Sequence, residues 1–298
     1  MISILRHILG GFVMGAADLV PGVSGGTIAL VLGIYERLVA SIREGSLALG
    51  AVLRGRWGGF KDHLGRVEWA LLVPLLAGIA LAIISLSALL EHQLETNPTV
   101  LAGGFFGLVV GSVVIAQGLL RRPEWIHAGI ALGVGGILFW LLGLGDDTTV
   151  SDPSLLVYFA SGALAICAMI LPGISGSLIL LLIGMYPNVL GAVNDRDFVA
   201  LGVFTLGAIV GLALFSQVLH WALSRFHDLV LAGLIGLMAG SLRVVWPWPE
   251  GVDSAALAPP GDDVVQVTIA AVIGFGFVFL IARLARDRVE TAALTPSG

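Results

Sequence analysis

The sequence has 298 residues, 57% of them hydrophobic and 12% charged, with a formal net charge of −5. A soluble protein has no core large enough for so much apolar surface, and several apolar runs reach the ~18 residues expected of a membrane span. The composition therefore excludes a soluble domain and predicts an all-α integral membrane protein. The single cysteine, Cys167, excludes an intrachain disulfide and a redox motif.

The first half of the chain is predicted to comprise residues 1 to 150, and an acidic linker at residues 145 to 154 marks its end. Its first apolar helix breaks at Pro21, and a later segment with five cations among apolar residues predicts a cytoplasmic loop with an interfacial helix. In chain order, the predicted elements are a helical hairpin at about 3–42 (helices 3–20 and 27–42), the interfacial segment 43–66, and spans at about 68–90, 100–120 and 126–144.

The second half is predicted to comprise residues 151 to 298. Its apolar runs follow the same order as those of the first half, and a polar tail ends the chain. The predicted elements are a helical hairpin at about 155–192 (helices 155–171 and 177–192), spans at about 200–223, 229–246 and 264–282, and the C-terminal tail.

One ten-residue motif occurs once in each half. The segment from Asp18 to Thr27, DLVPGVSGGT, aligns without a gap with the segment from Met169 to Leu178, MILPGISGSL, 151 residues later. Proline removes a backbone donor, and each glycine costs a helix roughly 1 kcal/mol relative to alanine. A membrane chain tolerates such a break only where protein or a wet cavity surrounds the freed backbone. Two breaks at corresponding positions therefore point to the binding site of a transporter.

A second pattern, Gly-x-x-Gly-Leu-x-x-Gly-Ser, occupies residues 104 to 112 and residues 233 to 241. Small residues at this spacing let helices approach closely in lipid, so helix packing alone explains the pattern. Its recurrence in both halves supports an internal duplication.

The fifteen basic residues favour one of two arrangements in the membrane. If each broken segment is a re-entrant hairpin, each half has three true spans, and only Arg196 and Arg243 lie opposite the other thirteen. If the broken segments span the membrane, the division is ten to five. The tendency of cations to lie on the cytoplasmic side favours the hairpins. Because three spans per half is an odd number, the two repeats must then be inverted, with both termini in the cytoplasm.

The two hairpin tips are predicted to meet within the membrane. Each tip begins a new helix near Gly26 or Ser177, where unpaired amide groups and the positive end of the helix dipole favour an anion. Glycines let the backbone approach a ligand, and hydroxyl groups add donors. Helix capping by the same serines is the alternative, although capping alone does not require two glycine-rich breaks at membrane depth. The expected hydroxyl donors are Ser24, Thr27, Ser175 and Ser177.

Asp18 is the acidic residue expected inside an apolar helix, and an intramembrane carboxylate is a functional hypothesis by default. One hypothesis is proton coupling, in which protonation of the carboxylate lets an anion bind nearby. The other is a local hydrogen bond from the carboxylate to the amide groups of the turn at Pro21. The sequence leaves both open.

Both motifs resemble those of the PopT-like polyprenyl-phosphate transporters, and the resemblance covers essentially the whole chain. The matching segments are Met14-Gly15-x-Ala17-Asp18-x-Val20-Pro21-Gly22-Val23-Ser24-Gly25-Gly26-Thr27, then Gly33-x-Tyr35, and Leu171-Pro172-Gly173-Ile174-Ser175-Gly176-Ser177. The second motif matches less strictly, because Ser177 and Leu178 stand where the first has Gly26 and Thr27. The expected substrate-binding residues are Asp18, Pro21, Gly22, Ser24, Gly25, Gly26, Thr27, Pro172, Gly173, Ser175, Gly176 and Ser177.

The resemblance implies transport of undecaprenyl phosphate, the lipid carrier of cell-wall and surface-polymer synthesis, from the outer to the inner leaflet of a prokaryotic cytoplasmic membrane. The anionic head of this lipid is costly to move through hydrocarbon, whereas the long apolar tail can stay in the bilayer. The sequence has no nucleotide-binding motif, so the expected energy source is a gradient of protons, of another ion or of the lipid itself. The implied partners are polyprenyl phosphate and the bilayer, with no nucleic acid, metal or cofactor. The oligomeric state stays open.

Two other functions fit part of the pattern. An ion-coupled transporter of a small soluble anion would use the same amide groups but an aqueous path closed to lipid. A lipid-phosphate phosphatase needs a nucleophile beside an acid or base, and none of the six histidines lies near either Pro-Gly tip in the sequence. The sequence therefore favours transport over catalysis.

Four residues outside the tips are secondary candidates for substrate contact. Tyr35 and Tyr186 close the two aligned segments. Arg37 is expected at the cytoplasmic surface, where cations attract anionic head groups, and Arg243 is expected near the outer end of its span. A role in setting the orientation of the chain in the membrane explains both cations at least as well as substrate contact does.

Overall fold

The computed structural model describes residues 2–19, 23–143, 150–248 and 257–294. Regular structure in these residues is helical throughout, as the composition predicts. Pro21 and Gly22 of the first motif, and parts of two acidic loops, lie outside the described residues. The helices are α1 (Ile2–Asp18), α2 (Gly25–Val31), α3 (Tyr35–Leu53), α4 (Trp57–Arg66), α5 (Trp69–Thr96), α6 (Pro98–Gln117), α7 (Trp125–Leu142), α8 (Leu155–Ile170), α9 (Gly176–Leu182), α10 (Tyr186–Asn194), α11 (Phe198–Arg225), α12 (His227–Ser241) and α13 (Val264–Leu294).

Five helices of the described chain are long and apolar enough to cross a membrane: α5, α6, α7, α11 and the first 21 residues of α13. They correspond to five of the six expected spans and agree with a multi-pass α-helical membrane protein. The sixth expected span, at 229–246, is shorter than predicted because α12 stops at Ser241. Its 15 residues rise about 22 Å, less than the ~30 Å hydrocarbon layer. The chain continues in turns toward Pro247, which disfavours a helical residue before it.

The helices expected at 27–42 and 177–192 are each interrupted at a glycine. Gly33 and Gly184, which follow the seven-residue helices α2 and α9, have φ angles of +69° and +68°. In both, the glycine amide donates to the carbonyl three residues back, and the next amide donates to the carbonyl five residues back. This pair of bonds terminates a helix, and α10 leaves α9 at an angle of 111°. The sequence did not predict the breaks because a single glycine also fits a continuous apolar helix.

The cationic segment at 43–66 is more helical than expected. Helix α3 continues to Leu53, and α4 follows as a ten-residue helix with no buried residue. Glu44 of α3 accepts a hydrogen bond from Arg43 and contacts His63 Nδ1 of α4 at 2.8 Å. A short exposed helix held against a longer one is compatible with an interfacial helix, and its contact with a membrane surface stays a prediction.

Glycines permit close packing in two pairs of helices, and both helices of each pair lie in the same predicted half. A Cβ at Gly11 of α1 would overlap the backbone of Leu75 in α5, and a Cβ at Gly162 of α8 would overlap the backbone of Phe204 in α11. These glycines let the backbones touch, as small residues do between helices in lipid. The pairs α1–α5 and α8–α11 therefore pack closely, and they occupy matching places in the chain order.

Two further pairs join distant parts of the chain. Helix α6 packs on α13 through Gly107, whose Cβ would overlap the carbonyl of Ala271. Helix α12 packs on α7 through Gly236, whose Cβ would lie 2.5 Å from the carbonyl oxygen of Ala131. The repeated glycine pattern identifies α6 and α12 as corresponding helices of the two predicted halves. Their partners, α13 and α7, also correspond in chain order, and each partner lies in the other half.

Helix α2 lies at the centre of the largest buried cluster. Six of its seven residues are buried, and it contacts α1, α3, α6, α8 and α13. The first motif is therefore an interior element, and the second motif packs beside it through the end of α8.

Candidate functional site

The first motif satisfies two of its own backbone donors. The amide of Gly25 donates to Asp18 Oδ1 at 2.6 Å, and the amide of Gly26 donates to Ser24 Oγ at 3.1 Å. A Cβ at Gly25 would lie 2.5 Å from Asp18 Oδ2, so the glycine makes room for the carboxylate. Ser24 is the N-cap of α2, and its hydroxyl also donates to the carbonyl of Leu171 in the second motif at 3.4 Å.

Asp18 is the last residue of α1, and the expectation that it lies inside an apolar helix is wrong. The helix ends there, three residues before Pro21 in the sequence, where the proline disfavours helical backbone. Its bond to Gly25 agrees with the hypothesis of a local hydrogen bond. Proton coupling by Asp18 stays a prediction.

The two motifs are in direct contact, as the sequence predicts. The amide of Gly173 donates to Thr27 Oγ1 at 2.9 Å, and both residues are buried. A Cβ at Gly26 would lie 3.1 Å from the carbonyl oxygen of Ile170, so this glycine permits the close approach. The buried hydroxyl of Tyr35 donates to the same carbonyl at 3.1 Å. Tyr35 therefore holds the end of α8 against the first motif.

The second motif leaves its hydroxyl groups more accessible. Ser175 and Ser177 are partly exposed, and their Oγ atoms lie 2.6 Å apart. Ser175 precedes α9, and within the described residues its side chain makes no capping hydrogen bond. The first amide groups of a helix have no intrahelical acceptor, so those of Gly176 and Ser177 are donors at the start of α9. An anion at this point would meet two hydroxyl and two amide groups.

Gly173 is fixed by a close contact with α12. Its φ angle is +86°, and a Cβ there would lie 2.5 Å from the Cα of Met238. Both Met238 and Pro172 are buried. Met238 was not among the residues predicted to form the site, although it lies inside the repeated glycine pattern, which was an available signal. The second motif is thus supported by α12 as well as by α2.

Of the other secondary candidates, Arg37 and Arg243 contact protein side chains, and Tyr186 is exposed. Arg37 forms an ion pair with Glu68 at 2.6 Å, with side chains 48% and 43% exposed. Tyr186 is exposed at the start of α10. The guanidinium carbon of Arg243 lies 4.8 Å from the ring centroid of Phe139. Arg37 is thus an exposed ion pair, of the kind that contributes little to stability.

Comparison with known proteins places these motifs in one family. The sequence matches the family described as VCA0040-like, undecaprenyl phosphate translocase-like, over residues 14–258. It is 43% identical over 251 residues to a polyprenyl-phosphate transporter of Vibrio cholerae serotype O1, covering 83% of this chain and 79% of the relative. It is 34% identical over 263 residues to a polyprenyl-phosphate transporter of Staphylococcus aureus, covering 81% of this chain and 86% of the relative.

No solved structure matches the chain. The family match covers more than half of the sequence, and both relatives are matched over most of their length. The resemblance stated from the two motifs is therefore confirmed. This chain belongs to the undecaprenyl phosphate translocase-like family.

Proposed function

We propose that this protein transports polyprenyl phosphate from the outer to the inner leaflet of the cytoplasmic membrane without changing it chemically. Membership of the undecaprenyl phosphate translocase-like family supports the substrate, as do two relatives named polyprenyl-phosphate transporters. One structural observation carries the mechanism. The hydroxyl groups of Ser175 and Ser177 are accessible and lie together in the second motif. The hydrogen bond from Gly173 to Thr27 joins this motif to α2.

The phosphate head binds at the second motif. The Ser175 and Ser177 hydroxyls and the first amides of α9 supply the donors, and hydrogen bonds to an ionised group are roughly twice as strong as neutral ones. The first motif is a poorer place for an anion, because Asp18 and Ser24 already accept from its amides. A charged Asp18 would also repel a second anion there. In this mechanism the first motif positions the second.

The two halves, residues 1 to 150 and residues 151 to 298, act as inverted repeats of one re-entrant hairpin and three spans. The matching partners of α6 and α12 support this arrangement, as does the bias of the basic residues. Movement of one repeat against the other would expose the head-group site first to one leaflet and then to the other. Most of the prenyl chain stays in lipid, where an apolar chain is already well solvated.

Leaflet exchange in proteoliposomes tests the proposal. Exchange of undecaprenyl phosphate is compared for wild-type protein, the double variant S175A/S177A and empty vesicles. Each lost hydrogen bond to a charged group is worth about 1.5–3 kcal/mol, so we expect the double variant to slow exchange at least tenfold. The control is S112A, which removes a buried hydroxyl of α6 that donates to the carbonyl of Leu108 in the same helix. It should exchange lipid at the wild-type rate.

Two results would contradict the proposal. If wild-type vesicles exchange the lipid no faster than empty vesicles, the transport claim fails. If wild type is active and S175A/S177A is equally fast, the phosphate is not held at the second motif. Uptake of labelled inorganic phosphate in the same vesicles, without lipid exchange, would instead establish the soluble-anion alternative.

A further inference from the structure

Two crevices of the molecule are lined by corresponding residues. The first, here called the aromatic crevice, lies between α6, α13 and residues 246 to 248 and has a volume of about 420 Å³. The second, here called the polar crevice, lies between α12, α7 and the segment that follows α6, with a volume of about 650 Å³. They lie at the α6–α13 and α12–α7 interfaces. In these two pairs each helix packs on a helix of the other predicted half, and they are here called the exchanged helix pairs.

The correspondence holds residue by residue. On α6 and α12 the linings pair Gly103 with Ala232, Phe106 with Ile235 and Val110 with Ala239, each 129 positions apart. On α7 and α13 they pair His127 with Val267, Ala128 with Thr268, Ala131 with Ala271 and Leu132 with Val272, each 140 positions apart. The two crevices are therefore formed by corresponding helix pairs, and differences between their linings indicate different ligands.

The two linings differ in polarity. In the polar crevice Gln117 and His127 stand where the aromatic crevice has Trp246 and Val267, and Glu124 adds a carboxylate. The aromatic crevice is instead walled by aromatic and aliphatic side chains, with Trp246 packed edge-to-face on Phe106 at 5.7 Å. Its surface suits an apolar chain and offers little to a polar ligand.

A cation lies beside the aromatic crevice. Arg243 lines a smaller cleft of about 300 Å³ that shares Phe106 and Trp246 with the crevice. Its guanidinium carbon lies 4.8 Å from the centroid of Phe139, and a Cβ at Gly143 would lie 2.6 Å from that carbon. The position that corresponds to Arg243 on α6, 129 residues earlier, is Val114. Among the described residues, neither crevice lining contains Lys or Arg, and the cleft of Arg243 also borders the polar crevice at Ala239.

We infer that the aromatic crevice and Arg243 form a loading site for polyprenyl phosphate, separate from the two motifs. Arg243 binds the phosphate, because its planar guanidinium matches a phosphate better than a lysine does. The crevice takes the first isoprene units of the chain. Since lipid tails are as apolar as the crevice, burial of the chain adds little affinity. The cation therefore supplies affinity, and the shape of the crevice selects a branched prenyl chain over a straight acyl chain.

This inference rests on the proposed function and adds the place where the lipid is captured. A cation in the cleft that adjoins the aromatic crevice and a carboxylate, Glu124, in the lining of the polar crevice favour capture of an anionic lipid on the side of Arg243. Under the hairpin arrangement favoured by the basic residues, that side is the outer one. The lipid would load at the aromatic crevice, pass its head to the second motif and leave by the other side.

Site-specific photocrosslinking tests the loading site. Benzoylphenylalanine replaces Thr268 in the aromatic crevice, Ala128 at the corresponding place in the polar crevice, or Ile273, an exposed residue on the same helix as Thr268. The proteins are placed in phosphatidylcholine nanodiscs with radiolabelled undecaprenyl phosphate and irradiated. We expect at least fivefold more labelled adduct at Thr268 than at Ala128 or Ile273. Equal labelling at Thr268 and Ile273 would overturn the inference.

Arg243 is tested in the same assay. With the crosslinker at Thr268, R243A should reduce labelling to the level at Ile273, and R243K should retain part of it. G143A keeps the charge but inserts a Cβ where the guanidinium lies, so it should also reduce labelling. G136A is its control, because a Cβ at Gly136 meets nothing within 4 Å. Unchanged labelling in both R243A and G143A would refute a role for the cation.

Competition identifies the ligand class. Excess unlabelled undecaprenyl phosphate should abolish labelling at Thr268, whereas undecaprenol, which lacks the phosphate, and phosphatidic acid, which lacks the prenyl chain, should compete weakly. Equal competition by phosphatidic acid would overturn the commitment to a prenyl chain. The S175A/S177A protein should still label at Thr268 although its transport is slow. If the crosslinker at Thr268 is labelled but the wild-type protein shows no transport, the proposed function is refuted and the loading site is still supported.

Discussion

At the scale of single residues, the two motifs carry similar hydroxyl groups and use them differently. Ser24 caps its own helix, Thr27 accepts from the opposite motif, and Ser175 and Ser177 contact each other. Sequence analysis predicted which side chains would supply hydroxyls and that the motifs would meet. It could not predict their partners, because the partner of Thr27 lies 146 residues away and depends on packing.

Replacement of Thr27 by valine should destabilise the protein. Valine keeps the shape of the side chain but removes the acceptor for the Gly173 amide, and a buried donor without a partner costs about 1–3 kcal/mol. We expect the T27V variant to unfold several degrees lower than wild type in detergent. T27S keeps the acceptor and should lose less. A loss in T27S with none in T27V would show that the methyl group, and not the hydrogen bond, matters.

At the scale of helices, glycines determine both where helices end and how closely they pack. The sequence predicted the apolar helices well because their periodicity and length are visible in any window of the chain. The breaks after α2 and α9 were missed, since Gly33 and Gly184 are single residues within apolar runs. Only the positive φ angles distinguish them from the packing glycines of α6 and α12.

The break after α9 requires glycine at position 184. Its φ angle of +68° costs an L-residue about 1–2 kcal/mol, so G184A should lower the unfolding temperature by a few degrees. Gly191 is the matched control, because it lies inside α10 and a Cβ there meets nothing within 4 Å. G191A should be neutral or stabilising, as alanine is the better helix former. A stable G184A protein would contradict the assigned role of the break.

The residue before α13 holds the wall of the aromatic crevice. Asp263 accepts hydrogen bonds from the Thr99 hydroxyl and from the Trp248 indole, the latter at 2.8 Å. These bonds, led by that from Thr99, lower the pKa of the Asp263 carboxyl below its ordinary value. A carboxyl with a lowered folded pKa stabilises the folded state above its unfolded pKa of about 3.9.

The contribution of Asp263 should therefore depend on pH. Unfolding temperatures of wild type and D263A are compared from pH 7 down to pH 3. We expect wild type to be more stable at pH 7, and the difference to shrink as the pH falls through about 3.9 toward the lower folded pKa. D262A, a change at the neighbouring aspartate, is the control for the loss of one charge. A difference that stays constant across this range would show that the ionised carboxylate is not responsible.

At the scale of the whole molecule, the composition and the repeated motif predicted a membrane protein made of two related parts. They could not predict which helices pack together, because contacts between α6 and α13 or between α7 and α12 join segments more than 80 residues apart. The proposed loading site was missed for the same reason. Arg243 was a secondary candidate, but Phe106 lies more than 130 residues before Arg243 and Trp246, so no local pattern joins them.

The exchanged helix pairs predict how the chain behaves when it is divided. A cut between α7 and α8 leaves α6 and α7 in one fragment and their packing partners, α13 and α12, in the other. We expect each fragment to be degraded when expressed alone, and both to accumulate and restore lipid exchange when expressed together. Immunoblots of membranes and the exchange assay measure this. Stable accumulation of either fragment alone would show that the exchanged contacts are dispensable.

The exchange of helices between the proposed halves bears on the origin of the fold. A polypeptide with the content of one half would have α6-like and α7-like helices whose glycine faces lack a partner within the same chain. With the inverted arrangement proposed above, such an ancestor would have needed a second copy in the opposite orientation beside it. Fusion of the two genes would then have fixed the two orientations in one chain and allowed each crevice to diverge.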